Sequence, residues 1–292
     1  MKIGVSSYSF SQAVEAGAMG FMDIIPKAKE LGFEVVEFAG LLPPEGTDAL
    51  SFAPRVRDAC AAAGLEVAAY TIPADLLCGS GGCLEAEVGR LRGELAVAAA
   101  LGAPMMRHDA GWGWPPDRGG LKSFDGALPR MARGCRMVTE HAAEMGIRTM
   151  VENHGYFCQD SERVERLVDA VDHPNFGVLL DLGNFMCADE EPARAVGRLA
   201  PYVFHVHAKD FHWKAGASPD PGGGWFPTRA GNRLRGAVLG HGEVPVAQCL
   251  GILKRAGYNG IVSLEFEGIE EPVRGITLGL ANLRRAAAEA GY

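Results

Sequence analysis

The amino-acid sequence predicts a closed (β/α)8 barrel, and three features of its patterning carry that expectation. Short apolar runs alternate from end to end with longer stretches whose apolar residues recur every three or four positions, as strands and helix faces do. Five helical stretches stop at a glycine directly before the next apolar run, at Gly32, Gly64, Gly102, Gly146 and Gly257, where a left-handed helix cap favours glycine. Eight such units in 292 residues suit the usual size of a barrel of this kind. An open doubly wound sheet would normally carry a glycine-rich phosphate loop after its first strand. Ser6, Ser7, Tyr8, Ser9 and Phe10 follow instead.

Taken in order, the first predicted strand runs from Lys2 to Ser7 and the second from Glu34 to Phe38. A helical face through Val56, Cys60 and Ala63 leads to the third, Glu66 to Tyr70. Leu84, Val88, Leu91 and Leu95 make the next face before the fourth strand, Pro104 to Arg107. A long face from Leu128 through Met131, Cys135, Val138 and Ala142 to Met145 precedes the fifth, Arg148 to Glu152. Val164, Leu167, Val168 and Val171 then lead to the sixth, Gly177 to Asp181, and the seventh runs from Val203 to His207. The connection from Asp210 to Glu243, rich in Gly and Pro, is long for a compact domain and reads as a functional loop. Val246, Cys249, Leu250 and Leu253 precede the eighth strand, Ile261 to Glu265, and Val273, Ile276, Leu280 and Leu283 make the last face. One domain spanning 1–292 is expected.

Composition narrows the function. Hydrophobic residues at 48% and charged residues at 22% are those of a globular chain. With 28 basic against 36 acidic residues, a net charge of −8 argues against nucleic acid as a partner, since phosphate-backbone binding rests on clustered Lys and Arg. The longest runs free of charge, Ile3 to Val14 and Leu95 to Met106, are too short for a bilayer span. No membrane association is expected, and the polar segment after Lys2 lacks the apolar core of a secretion signal. A cytoplasmic location follows, with the seven cysteines as reduced thiols because none forms a C-x-x-C pair.

Barrel active sites lie at the carboxyl ends of the strands. Here the fifth strand ends at Glu152, the sixth at Asp181, the seventh at His207 and the eighth at Glu265. Three converging carboxylates repel one another, and a divalent cation resolves that conflict. Oxygen donors with one imidazole suit Mn²⁺ first, with Mg²⁺, Co²⁺ or Zn²⁺ as alternatives. His205 and Glu267 share strand parity with His207 and Glu265, and the strand-end position favours the latter pair. Lys209 reads as a partner for a carboxylate or a substrate oxygen, and His154 as a group for proton transfer or packing. Glu37, Arg107, His108, Tyr8 and Phe10 are further barrel-top candidates. Trp112, Trp114, Trp213, Trp225 and Phe226 offer flat apolar faces to a sugar ring or cover the barrel mouth.

The strings around Glu152-Asn153-His154-Gly155, Asp181-Leu182-Gly183-Asn184, His205-Val206-His207-Ala208-Lys209-Asp210, Gly240-His241-Gly242-Glu243 and Glu265-Phe266-Glu267 resemble the xylose isomerase-like TIM-barrel superfamily of sugar isomerases and epimerases, which also holds inosose dehydratases and apurinic endonucleases. The resemblance implies a metal bound by Glu152, Asp181, His207 and Glu265. In epimerase members the two matching glutamates also act as general acid and base on either face of the carbon next to a carbonyl. Ketose 3-epimerases of the group carry a His and an Arg that grip the substrate where this chain has Asn184 and Trp213. The extra zinc-binding histidines of the endonucleases are missing here too.

The expected activity is therefore a metal-dependent sugar or cyclic polyol ketone isomerase or epimerase. It would work by proton abstraction alpha to a carbonyl whose oxygen the metal polarises. Tyr8, His108, Trp112, His154, Asn184 and Lys209 are its expected substrate contacts. A lyase resembling inosose dehydratases or 3-oxo-glycoside eliminases is the alternative, and a non-catalytic sugar-binding barrel the more distant one. The resemblance also implies a homo-oligomer, a dimer or tetramer.

Overall fold

Eight parallel strands close into a barrel in a computed structural model that describes residues 1–115 and 117–292. They are β1 (Lys2–Ser6), β2 (Val35–Ala39), β3 (Glu66–Ile72), β4 (Met105–His108), β5 (Arg148–Glu152), β6 (Phe176–Asp181), β7 (Val203–Ala208) and β11 (Ile261–Leu264). Neighbours around the barrel run β1, β11, β7, β6, β5, β4, β3, β2. Every expected strand is present, β5 with the bounds expected and the others with ends shifted by at most two residues. Around them lie α1 (Ser11–Glu15), α2 (Ile24–Leu31), α3 (Ala49–Ala63), α4 (Leu84–Leu101), α5 (Phe124–Glu144), α6 (Ser161–Val171), α7 (Pro192–Leu199), α8 (Val246–Arg255) and α9 (Pro272–Glu289). The five stop glycines all have positive φ, from 66° at Gly64 to 89° at Gly32, a conformation that costs a side chain with a Cβ.

Alternation along each strand separates two apolar layers. Val36, Phe38, Met106, Val151, Leu180, Val206 and Leu264 face the helices and join the outer core. Val35, Met105, Met150 and Leu179 face inward and plug the amino-terminal end with Phe204 and Ile261. Gly177 leaves room for this plug, because a Cβ there would lie 2.7 Å from the Phe204 ring. The Arg148 guanidinium caps the same ring at 3.4 Å. Two residues further along each inward parity, the side chains turn from apolar to charged: Glu37 after Val35, Arg107 after Met105, Glu152 after Met150 and Asp181 after Leu179.

Three expectations need correction. The segment 210–243 is not a structureless loop, because β8 (Asp210–Lys214), β9 (Phe226–Pro227) and β10 (Arg233–Ala237) fold into an antiparallel sheet in the order β8, β10, β9. Its base is tied by Asp210, whose carboxylate accepts N–H bonds from Phe211, Gly240, Gly242 and Val244 at 2.8–3.0 Å. Met145 does not extend the buried face of α5; it sits past the last turn and is exposed. Phe10 is fully buried in the outer core, so it is a packing residue and not a group at the barrel mouth. Among the described residues no helix is long and apolar enough to cross a membrane.

Candidate active site

Four strand ends bring Glu152, Asp181, His207 and Glu265 together, each offering a ligand atom within 4.8 Å of the others. The Nδ1 atom of His207 lies 3.5 Å from Glu152, 3.8 Å from Asp181 and 3.4 Å from Glu265. Its Nε2 faces the other way and donates to Glu37 at 2.8 Å. His205, one inward step below, also reaches Glu37 at 2.8 Å and Ser263 at 3.0 Å. Glu37 thus clamps the two rings and turns Nδ1 of His207 toward the carboxylates, while Nδ1 of His205 is buried without a hydrogen-bond partner. Glu267 stands outside the four-group cluster and pairs with Lys209 at 3.3 Å.

The surrounding cations hold the acids ionised. Burial pushes Glu152 up, but the Arg107 guanidinium and His207 outweigh it and hold the carboxyl below the usual range. Arg107 pairs with Glu152 and, at 3.1 Å, with Asp109. Glu265 is likewise raised by burial and lowered more by Lys209, 2.7 Å away, and by His207. Asp181 behaves differently. Burial and the charges of Glu152 and Glu265 push it up to about 6 against the pull of Lys209. Its Oδ1 is held by the N–H groups of Gly183 and Asn184, both at 2.8 Å, and Asn153 brackets its backbone with two bonds of 2.9 Å.

This donor set fits a divalent cation. Asp181 Oδ2 and His207 Nδ1 are buried and have no hydrogen-bond partner, although buried polar atoms are ordinarily satisfied. Asp181 is raised first by burial and then by the neighbouring Glu152 and Glu265, costs of the ionised form that a bound cation would offset.

A cavity of about 340 Å³ opens over this cluster, lined by Glu152, His207 and Glu265 below and by Tyr8, Trp112 and His154 at the mouth. His154 bonds Asp109 at 3.1 Å and meets Trp112 edge-on at 5.2 Å. Asn184 donates to Glu152 at 3.1 Å and faces Lys209 at 3.4 Å. His108 is the exception among the expected contacts. It lies on the outward parity of β4, fully buried near Phe176, with Nδ1 against the Asp109 carbonyl, and it does not line the cavity. Trp114 stacks on Arg118, Trp225 lies between Lys214 and Arg235, and Trp213 lines a separate surface groove. Asp109 was not anticipated from the sequence. Its signal was there in the inward alternation of Met105, Arg107 and Asp109.

A family model described as a xylose isomerase-like TIM barrel matches residues 25–286. Inosose dehydratase of Bacillus thuringiensis (strain Al Hakam) is 29% identical over 82 residues, a match that covers 28% of this chain and 28% of that protein's length. D-psicose 3-epimerase from Clostridium cellulolyticum H10 superposes with a TM-score of 0.74 at 17% identity, over 98% of this chain and 99% of that one. The probable 3-DHS dehydratase involved in petrobactin synthesis from Bacillus anthracis superposes at 0.72 and 21% identity, over 97% and 98%. At these identities the structures share the fold.

Proposed function

The chain belongs to the xylose isomerase-like TIM-barrel family, and from that membership and the site geometry we propose that it is a divalent-metal-dependent isomerase or epimerase of a polyhydroxylated carbonyl compound. The observation that carries the reading is the convergence of Glu152, Asp181, His207 and Glu265 within 4.8 Å. These four would hold the ion, Mn²⁺ in first place with Mg²⁺, Co²⁺ or Zn²⁺ as alternatives. When bound, it supplies Lewis-acid polarisation of the substrate carbonyl.

The protein's own groups do the rest. Glu152 and Glu265 are the acids and bases. One carboxylate takes the proton from the carbon next to the carbonyl, and the other returns a proton to the opposite face. Arg107 and Lys209 favour the ionised form of the two glutamates, which suits the one that acts as base; the one that acts as acid takes up a proton from water in the cavity before it donates, and Asn184 fixes the orientation of Glu152. Trp112 and Tyr8 line the mouth above them, where they offer ring faces to the substrate.

A second reading, a lyase on the same carbanion, is supported by Asn184 and Trp213 at the positions where free-ketose 3-epimerases grip their substrate. The sequence relative named as an inosose dehydratase points the same way. The test is incubation of Mn²⁺-loaded protein in D₂O with ketoses, inososes and 3-oxo-glycosides, read by mass spectrometry and NMR. Deuterium at the alpha carbon with an otherwise unchanged formula supports the epimerase; loss of water or of an aglycone supports the lyase. No exchange with any member of the panel overturns both and leaves a sugar-binding barrel without turnover.

A further inference from the structure

The cavity over the four strand ends has a neighbour. A second cavity of about 310 Å³ lies beside it under the β8–β10 sheet, and Trp112, His154, Lys209 and Glu267 line both. Each lobe alone has the capacity of a small-ligand site of roughly 300 Å³, more than one sugar ring needs from the pair.

The two lobes offer different chemistry. The first presents the acid cluster and Asp109, whose Oδ2 is buried without a partner and suits a sugar hydroxyl. In the second, most polar side chains are committed to one another, and Lys209 pairs with Glu267 at 3.3 Å. Asn184 bonds Glu152 and Lys209, while Gln159 donates to the Asn184 carbonyl at 2.7 Å and accepts from the Tyr156 N–H. Beside this ion pair the wall is apolar: Phe211 and Phe226, packed edge-to-face at 5.7 Å, the Tyr156 ring and Cys187. The Cys187 thiol is pushed up to about 12 by burial, so it is neutral there. Tyr156 also donates its hydroxyl to the Pro227 carbonyl at 2.8 Å, which fixes this wall to β9.

We propose that the substrate is a two-part molecule, a glycoside whose carbonyl-bearing sugar ring occupies the first lobe and whose apolar, aromatic aglycone occupies the second. The inference rests on the function proposed above and names the substrate class of that site. Burying a phenyl ring in the second lobe contributes about ten- to a hundredfold in binding.

The experiment compares phenyl and methyl 3-oxo-glucopyranosides as a matched pair, with free ketoses and inososes alongside, for deuterium exchange or turnover by Mn²⁺-loaded protein. A kcat/KM at least tenfold higher for the phenyl glycoside is expected, and Phe226→Ala should cut that ratio by about tenfold. Equal values for phenyl and methyl, a preference for the free sugars, or an unchanged ratio in Phe226→Ala overturns the two-part substrate while the exchange itself upholds the proposed function. Absence of exchange throughout overturns that function and this inference with it. The wild-type comparison stands on its own if the variant does not fold.

Discussion

Glu37 accepts hydrogen bonds from both His205 and His207, so one buried carboxylate sets the ring whose other nitrogen faces Glu152, Asp181 and Glu265. Partners of this kind tune metal affinity by about 10- to 100-fold. Glu37→Gln is therefore expected to weaken Mn²⁺ binding by that factor in titration calorimetry, and an unchanged affinity would remove Glu37 from the site. For the acid–base pair, Glu152→Gln and Glu265→Gln should each abolish isomerase turnover. On a lyase, where one proton-transferring carboxylate suffices, they should differ in effect, and equal loss on every lyase substrate would count against that distinction. That these four strand-end side chains point to one place was legible in the sequence, because a strand's last inward residue is set by local alternation. The pairing of Arg107 with Glu152, and of Asp109 with His154, was not, because each joins groups from different strands and depends on the register of β4 against β5.

The elements that frame the site are secured by single carboxylates. Glu87 on α4 accepts from the Asp75 N–H at 3.2 Å, the Ser80 hydroxyl at 2.7 Å and Arg90 at 2.6 Å, which pins the segment after β3. Burial raises its pKa, but the bonds from Arg90 and Ser80 outweigh this and bring it from 4.5 to about 2. A depressed folded pKa contributes stability that is complete above the unfolded value and is lost as pH falls from about 4.5 toward 2. Glu87→Gln should cost about 1–3 kcal/mol at neutral pH and flatten the acid limb of the stability curve in that window, as read by denaturant unfolding at several pH values. Asp210→Ala strips four backbone N–H groups of their acceptor and should cost on the order of 2–4 kcal/mol. A thermal midpoint equal to that of the parent would show that water replaces the carboxylate. That the segment 210–243 folds as a sheet escaped the sequence reading because its Gly and Pro content hid two short pairing runs.

Along the barrel axis the buried acid cluster lies at one end and the apolar plug at the other, so an ion bound at the cluster would add to the stability of the fold. Saturating Mn²⁺ at a hundred times its dissociation constant is expected to stabilise the protein by about 2.7 kcal/mol. A raised thermal midpoint on Mn²⁺ addition, reversed by chelator, checks this, and a midpoint indifferent to metal counts against the site. The (β/α)8 architecture, the eight strands, the glycine stops and the strand-end donors could all be read from the chain alone. Each depends on a repeat along the sequence, alternation in strands and a three-to-four period in helices, that needs no knowledge of what lies across the barrel. The outward turn of His108 follows from the same alternation, but the Glu37 clamp and the second lobe depended on the closed fold. They arise where residues distant in sequence meet: pairing of β1 with β11 closes the ring, so that Glu37 of β2 reaches His207 of β7, and the β8–β10 sheet lies over the second lobe.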